Sequence, residues 1–188
     1  VSLDGGLVLK CVFKDPKASL NEARVLAHVR SHPNIVQCLG AITVDSELNL
    51  IFEHCKGGDL ASHLQKRPAK SKPLPETLLR SWAKQLASAA SAVSAAGFSH
   101  CDIDCRNILF LHEHNQHVKL ADFGLVRPLG AAPADFHLPY YDNERTMAPE
   151  ILSSDTPHAK SDVFSLGCVL LQCMLLSENE QPQCWAIA

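Results

Sequence analysis

The segment His-Cys-Asp-Ile-Asp-Cys-Arg-Asn at residues 100–107 constrains the fold of this 188-residue chain more than any other part of it. It places two carboxylates, an arginine and an asparagine between a stretch of helical periodicity that ends at Gly97 and the apolar run 108–111. A polar loop held between two packed elements is either a solvated connection or a functional site. The residues that follow it bear on this choice.

Two runs of strand-forming residues, 108–111 and 117–121, follow this loop and predict a β-hairpin. Asp122 comes directly after the second run, and a hairpin brings its two ends together. We therefore expect the side chains of Asp102, Asn107 and Asp122 to converge on one point. Oxygen-bearing side chains that meet in a cleft suit a hard divalent cation such as Mg²⁺.

Lys10 lies in the middle of a predicted strand, residues 7–13, where an ammonium group needs a partner. Glu22 on the following predicted helix is a candidate, and such a pair would hold the amine where a phosphate could use it. Lys14 is close by and the separation from Glu22 is short, so the choice of lysine stays open at this point.

The composition is that of a globular protein, with 46% hydrophobic and 20% charged residues and a net charge of −3. These values exclude a disordered or coiled-coil class and give no sign of attraction to nucleic acid. The pattern predicts strand, helix, strand and strand up to Glu53, with Asp45, Ser46 and Glu47 as the turn between the last two strands. Helices follow, one opened by Pro75 and a last one with Ser161 and Asp162 as its N-cap. The last helix carries apolar residues on nearly every side, so we expect it to be buried in the middle of its domain.

Eight cysteines without a CxxC pair indicate a reduced, intracellular protein. We see no signal-peptide pattern, and the longest apolar stretch, 163–176, is too short to span a bilayer. The expected location is the cytoplasm, or the intracellular part of a longer protein. Three histidines, 112, 114 and 117, are predicted to lie at an exposed hairpin tip rather than to bind a metal.

Eight segments in order resemble the eukaryotic protein kinases. HCDIDCRN resembles the catalytic loop HRDxxxxN, and ADFG (121–124) resembles the metal-binding DFG motif. The remaining resemblances are LVLK (7–10) to VAIK, NEARVL (21–26) to the helix with the paired glutamate, HPNIV (32–36) to the segment after it, FEHCKGGDL (52–60) to the hinge, MAPE (147–150) to the end of the activation segment, and SDVFSLG (161–167) to the central buried helix.

The resemblance implies a two-lobed α+β kinase-like fold. It implies an N-lobe part at 1–53, a hinge at 54–58 and a C-lobe part at 59–188. It also implies ATP and Mg²⁺ as cofactors, ATP-dependent phosphoryl transfer to a protein Tyr or Ser/Thr hydroxyl, and a protein substrate as partner.

The resemblance also implies roles for individual residues. Asp102 would orient or deprotonate the substrate hydroxyl, and Asn107 and Asp122 would hold Mg²⁺. Lys10, fixed by Glu22, would bind the nucleotide phosphates. The remaining implied site residues are Phe52 as gatekeeper, Glu53 and Cys55 as backbone partners of adenine, Arg106 in the catalytic loop, and Asp162 as the brace of that loop.

The chain also departs from the family pattern. No glycine-rich loop precedes Lys10 and the helices expected after the buried helix are missing, so we expect a kinase domain truncated at both ends. Cys101 replaces the arginine of HRD, which makes phosphate-dependent ordering of residues 125–145 doubtful. Glu150 is expected to lack its family partner.

Two further alternatives stay open. Asp104 replaces the lysine of serine/threonine kinases, and Arg106 matches the catalytic loop of tyrosine kinases. Tyr140 and Tyr141 resemble phosphosites of the activation segment. Together these residues favour a tyrosine-kinase-like or related group. Thr146 fits that group poorly. The alternative function is a pseudokinase or truncated fragment that acts as a protein-binding module.

Overall fold

The computed structural model describes residues 2–3, 6–11, 16–44, 47–67, 73–113, 116–131, 145–153 and 156–175. The first of its two halves, called the sheet half, is an antiparallel sheet with one helix. Its elements are β1 (Ser2–Leu3), β2 (Leu7–Cys11), α1 (Pro16–Val29), β3 (Cys38–Val44) and β4 (Glu47–Glu53). The strand order is β1-β2-β4-β3, and Lys10 of β2 stands opposite Leu50 of β4.

One face of α1 is buried. Glu22, Val25, Leu26 and Val29 lie at the i, i+3, i+4 and i+7 positions of a helix, and all four are buried. A carboxylate on this otherwise apolar face needs a charged partner, because its desolvation is costly. A cationic side chain must therefore lie beside the Glu22 carboxylate.

The second half, called the helical half, follows α2 (Leu60–Gln65). Its elements are α3 (Glu76–Ala95), β5 (Phe98–Ser99), β6 (Ile108–Phe110), β7 (Val118–Leu120), β8 (Arg127–Pro128), α4 (Pro149–Leu152) and α5 (Ala159–Leu175). The predicted hairpin is present as the antiparallel pair β6–β7. The α+β architecture agrees with the sequence prediction.

Helix α3 forms the middle of the helical half. Trp82, Leu86, Ala90 and Val93 are buried along one face, as their helical spacing predicts, and the ring of Trp82 packs 5.3 Å from that of Phe110 on β6. Pro75 is the residue that precedes the helix.

Helix α5 begins earlier than its sequence suggests. Its first residue is Ala159, so Ser161 and Asp162 lie in the first turn and the predicted N-cap is wrong. The Ser161 hydroxyl accepts a hydrogen bond from the His158 N–H at 3.3 Å, while Asp162 bonds elsewhere. The prediction that α5 is buried in the middle of its domain holds for one side, with Leu166, Val169 and Cys173 buried, whereas Val163 and Met174 are exposed.

Two sets of backbone hydrogen bonds join the halves. The Val36 N–H donates to the Leu120 carbonyl at 2.9 Å, which ties the sheet half to β7. The Gly57 N–H donates to the Phe110 carbonyl at 3.0 Å. A Cβ on Gly57 would clash with Phe110 and His112, so only glycine permits this approach.

Of the predicted turn at 45–47, Glu47 is the first residue of β4, and Asp45 and Ser46 lie outside the described residues. His114, Tyr140 and Tyr141 also lie outside them. Within the described part of the chain, no helix has both the length and the apolar character that a membrane span requires.

Candidate active site

A cleft of about 480 Å³ lies between the sheet half and the hairpin β6–β7. Its walls are mostly apolar, with a lysine and an aspartate at one end, as is usual for small-molecule sites. The lining residues are Val8, Leu9, Lys10, Val36, Phe52, Glu53, His54, Cys55, Leu109, Ala121, Asp122 and Phe123.

Lys10 joins the two halves at this cleft. Its Nζ lies 2.7 Å from Glu22 Oε1 and 2.7 Å from Asp122 Oδ1. Burial alone would lower the pKa of Lys10, but the charges of Asp122 and Glu22 outweigh it, so the pKa lies above its ordinary value. The amine is therefore a fixed cation at the end of the cleft.

Asp122 has a backbone conformation that non-glycine residues seldom adopt, with φ of 60°. In this conformation the carboxylate turns back, and its Oδ1 accepts a hydrogen bond from the Gly124 N–H at 3.1 Å. Burial would raise the pKa of Asp122, but the charge and hydrogen bond of Lys10 lower it overall. Asp122 is therefore ionised at neutral pH.

Asp102 and Asn107 are in direct contact. Asn107 Nδ2 donates to Asp102 Oδ2 at 2.8 Å and to the Asp102 carbonyl at 2.9 Å. The Ala121 N–H donates to the Asn107 carbonyl at 2.8 Å, which brings Asp122 to the same end of the hairpin. The structure thus brings together the three residues that the sequence places there.

Burial raises the pKa of Asp102 to about 7, and the nearby charge of Asp122 adds to this effect. The hydrogen bond from Asn107 acts in the opposite direction. A carboxylate that titrates near neutral pH is suited to general base catalysis.

The catalytic-loop backbone is held by Asp162 of α5. Asp162 Oδ2 accepts from the His100 N–H at 2.8 Å, and Oδ1 accepts from the Cys101 N–H at 3.0 Å. The Ser99 hydroxyl donates to Oδ1 at 3.1 Å, a contact that the sequence analysis did not identify. Cys101 has a φ of 61°, so these bonds also hold a strained residue in place.

His100 is buried and connects the loop to the hairpin. Its Nδ1 accepts from the Asp102 N–H at 3.3 Å, and Nε2 lies 3.2 Å from the Ala121 carbonyl, which can only accept. The ring therefore carries its proton on Nε2, and burial lowers its pKa. It also packs edge-on against Phe123 at 4.7 Å.

Arg106 belongs to the outer side of the loop. Its Nε donates to Asp104 Oδ1 at 2.9 Å, and about half of its side chain is exposed. Asp104 precedes a short 3₁₀ turn, Cys105–Asn107, and accepts from the Arg106 N–H.

Phe52, Glu53 and Cys55 line the far end of the cleft. The Glu53 carboxylate pairs with Lys119 of β7, with 2.6 Å between Nζ and Oε1. Lys119 is buried. The pKa of Cys55 is raised to about 11 by the burial of its own thiol and by the charge of Glu53. The sequence analysis missed Lys119 because alternation along β7 would place it in solvent.

Two further features concern the end of the activation segment. Cys101 packs with Met147, Ala148 and Ile151 in a small apolar cluster. Glu150, which we expected to lack its family partner, accepts a hydrogen bond from the Ser161 hydroxyl at 2.6 Å. This bond joins α4 to the first turn of α5.

Comparison with known proteins decides the family. A family model described as "Protein kinase domain" matches residues 8–183. The chain belongs to the protein kinase family. The predicted family and the predicted α+β kinase fold are thereby confirmed.

Several curated kinases are similar to this kinase domain. Serine/threonine-protein kinase Nek3 of Mus musculus is 31% identical over 177 residues, or 94% of this chain and 34% of that protein. ULK3 of Homo sapiens is 33% identical over 174 residues, covering 89% of this chain and 35% of that protein. Unc-51 of Caenorhabditis elegans is 32% identical over 178 residues, with coverages of 88% and 20%. The chain spans about a third or less of the length of these relatives.

All three relatives are serine/threonine kinases by name, so they give no support to the predicted tyrosine-kinase-like group. The prediction rested on the residue types at Asp104 and Arg106.

Among the described residues of this kinase domain, no group of three His, Cys, Asp or Glu side chains could hold a metal ion on its own. His117 instead contacts the Pro33 carbonyl through Nε2 at 3.0 Å.

Proposed function

We propose that this chain is the catalytic part of a protein kinase that transfers a phosphoryl group from ATP to a hydroxyl of a protein substrate. One observation supports this most: Lys10 bonds both Glu22 and Asp122, while Asn107 bonds Asp102 on the adjoining loop. Phosphoryl transfer needs a cation for the phosphates and a base beside them. Lys10 and Asp122 line the cleft, and the Ala121–Asn107 hydrogen bond connects the loop that carries Asp102 to the segment before Asp122.

The proposed roles follow from these contacts. Lys10 binds the nucleotide phosphates, and Glu22 keeps its amine at the cleft. Asp102 orients the acceptor hydroxyl and takes its proton, for which the carboxylate must be ionised. Asn107 holds the Asp102 carboxylate in place through its Nδ2.

Mg²⁺ fits the oxygen atoms that remain. Both contacts to the Asp122 carboxylate use Oδ1, and both side-chain hydrogen bonds of Asn107 use Nδ2. One carboxylate and one amide oxygen are hard ligands of the kind that Mg²⁺ takes together with water and phosphate. Asp122 and Asn107 would hold the ion, which would neutralise charge on the transferred phosphate.

The cleft suits adenine at its other end. A volume of about 480 Å³ lies within the range of small-molecule pockets. Phe52 would close its back, and the backbone groups of Glu53 and Cys55 would pair with the base. Because Lys119 pairs with the Glu53 carboxylate, the negative charge of that side chain is compensated.

Serine or threonine is the acceptor that the names of the relatives favour. We also propose the division into an N-lobe part at 1–53, a hinge at 54–58 and a C-lobe part at 59–188. An intracellular location belongs to the same proposal, because the reaction uses ATP. Six cysteines of the described residues are also in the thiol form, outside any disulfide.

Thermal unfolding with and without ATP and Mg²⁺ tests the proposal. Ligand at a hundred times its Kd adds about 2.7 kcal/mol, which raises Tm by roughly 5–10 °C for a chain of this size. Asp122→Asn should lose this rise. Asparagine tolerates the same φ, and the loss of the Lys10 ion pair should appear as a lower Tm without nucleotide, so the rise is measured against the variant's own Tm. Radiolabelled phosphate transfer to a mixed protein substrate, absent in Asp102→Asn, completes the test. A wild type that neither binds nor transfers contradicts the proposal.

A further inference from the structure

The carboxylate of Asp162 accepts hydrogen bonds from three consecutive residues at the start of the catalytic loop. Asp162 lies on α5 and is 1% exposed. Its Oδ2 accepts from the His100 N–H at 2.8 Å, whereas its Oδ1 accepts from the Cys101 N–H at 3.0 Å and from the Ser99 hydroxyl at 3.1 Å. A buried carboxylate needs such donors because it has lost its contacts with water. Two of these three donors are backbone groups, so the contribution of Ser99 is the one that depends on residue type.

Ser99 is itself held on two further sides. It is fully buried in β5, where it pairs with Arg127 of β8. Its carbonyl accepts a hydrogen bond from the Cys101 thiol, with 3.6 Å between sulfur and oxygen. Ser99 and Cys101 are therefore joined twice, once directly and once through Asp162 Oδ1.

Cys101 is the residue that this arrangement constrains. Its φ of 61° is unfavourable for a residue with a Cβ, so the surrounding contacts must hold it there. The Ser99 hydroxyl contributes because it keeps Asp162 Oδ1 in position to accept from the Cys101 N–H. Without the hydroxyl, this oxygen would lose one of its donors, and the buried carboxylate would be less firmly oriented.

Asp102 follows Cys101 directly, so the backbone of Cys101 sets the direction in which the Asp102 side chain leaves the loop. The Asp102 N–H donates to His100 Nδ1 at 3.3 Å. His100 and Cys101 are the two residues whose N–H groups bond Asp162. The position of Asp102 therefore depends on the Asp162 contacts and, through them, on Ser99.

We propose that Ser99 is a positioning residue, whose hydroxyl holds Asp162 Oδ1 against the Cys101 N–H and thereby directs the Asp102 side chain. The inference rests on the proposed function, in which Asp102 takes the proton of the acceptor hydroxyl. A displaced base keeps its chemistry but loses rate. Ser99 acts at a distance from the nucleotide, because the described residues that line the cleft do not include 99–102.

Steady-state kinetics of Ser99→Ala test this role. ATP is varied at a fixed concentration of dephosphorylated casein, a general protein acceptor, and transfer of radiolabelled phosphate is measured. The kcat should fall about tenfold because Asp102 is misdirected, whereas KM for ATP should stay within about twofold because the cleft walls are unchanged. A rise in KM with an unchanged kcat, or no change in either, overturns the proposal.

Ser99→Cys grades the effect. A thiol is a weaker donor than a hydroxyl, and alanine donates nothing, so kcat should decrease in the order Ser, Cys, Ala at position 99. If Ser99→Ala does not fold, the cysteine variant alone decides. A kcat of Ser99→Cys equal to that of the wild type then refutes the role of the hydroxyl.

Ser165→Ala is the matched control. Ser165 is also buried and lies on the helix that carries Asp162, but its hydroxyl donates to the Ser161 carbonyl at 3.2 Å. The kcat of this variant should remain within about twofold of the wild-type value. A tenfold loss there would mean that removal of either buried hydroxyl has the same effect, which contradicts a specific role for Ser99.

Hydrogen exchange separates this inference from the proposed function, because exchange requires no turnover. In Ser99→Ala the Cys101 N–H should exchange about tenfold faster by NMR, while the amides of α3 change by less than about twofold. This result with a wild type that transfers no phosphate would contradict the proposed function and still support Ser99 as the residue that positions the loop. Unchanged exchange at Cys101, or equal acceleration at Cys101 and in α3, overturns the proposal.

Discussion

Lys10 is the residue on which the candidate site depends most. Glu22 is only 1% exposed, and its one resolved ion pair is with Lys10. Loss of one partner of a buried pair costs more than loss of both, because the remaining charge stays desolvated. Stability and nucleotide binding can therefore be separated by substitution.

Lys10→Met should lower the free energy of unfolding by about 3 kcal/mol and abolish the ATP-dependent rise in Tm. The double variant Lys10→Met/Glu22→Met should regain most of the stability but none of the nucleotide binding. Urea unfolding and thermal shifts measure the two effects. Recovery of nucleotide binding in the double variant would contradict the role of Lys10.

Asp102 should reduce stability at alkaline pH. Its pKa of about 7 in the folded chain exceeds that of an unfolded aspartate, so the folded chain binds the extra proton between about pH 4 and pH 7. Stability therefore falls as pH rises through this window. Asp102→Asn, which cannot ionise, should raise Tm more at pH 8 than at pH 5. An equal effect at both pH values would contradict the shifted pKa.

At the scale of elements, the sequence predicted the hairpin, α1, α3 and the convergence of Asp102 with Asp122, since each has a local pattern. It did not predict the Lys119–Glu53 pair. Strand β7 has the alternation of a half-exposed strand, but residues 34–36 pair with its edge through backbone hydrogen bonds, and Lys119 is buried. Coverage by a distant segment leaves no mark in the local sequence.

Lys119→Met tests the contribution of this buried pair. The ammonium bonds Glu53 at 2.6 Å and lies 3.4 Å from the Ile35 carbonyl, so its loss should cost about 2–3 kcal/mol in urea unfolding. Lys84→Met, on the exposed side of α3, is the control and should change stability by less than about 0.5 kcal/mol. Equal effects of the two substitutions would mean that Lys119 contributes nothing beyond a surface lysine.

At the scale of the whole molecule, the connection between the halves depends on a close backbone approach at Gly57. Gly57→Ala places a methyl group against Phe110 and should destabilise the chain by about 2 kcal/mol and weaken ATP binding. Gly40→Ala is the control, since its Cβ would meet no atom within 4 Å. Urea unfolding and nucleotide titration measure both. A Gly57→Ala variant as stable as Gly40→Ala would contradict the close approach.

The same backbone contacts determine how the halves can move. The His54 N–H bonds the Gly6 carbonyl in the sheet half, whereas the Lys56 N–H bonds the Leu111 carbonyl in the helical half. Cys55 is the one residue between these two anchors, and the Val36–Leu120 hydrogen bond is a second point of attachment. We expect a change in the angle between the halves to turn about the line through Cys55 and the Val36–Leu120 contact. Such a change would have to stretch or break the Lys10–Asp122 ion pair, which also joins the halves.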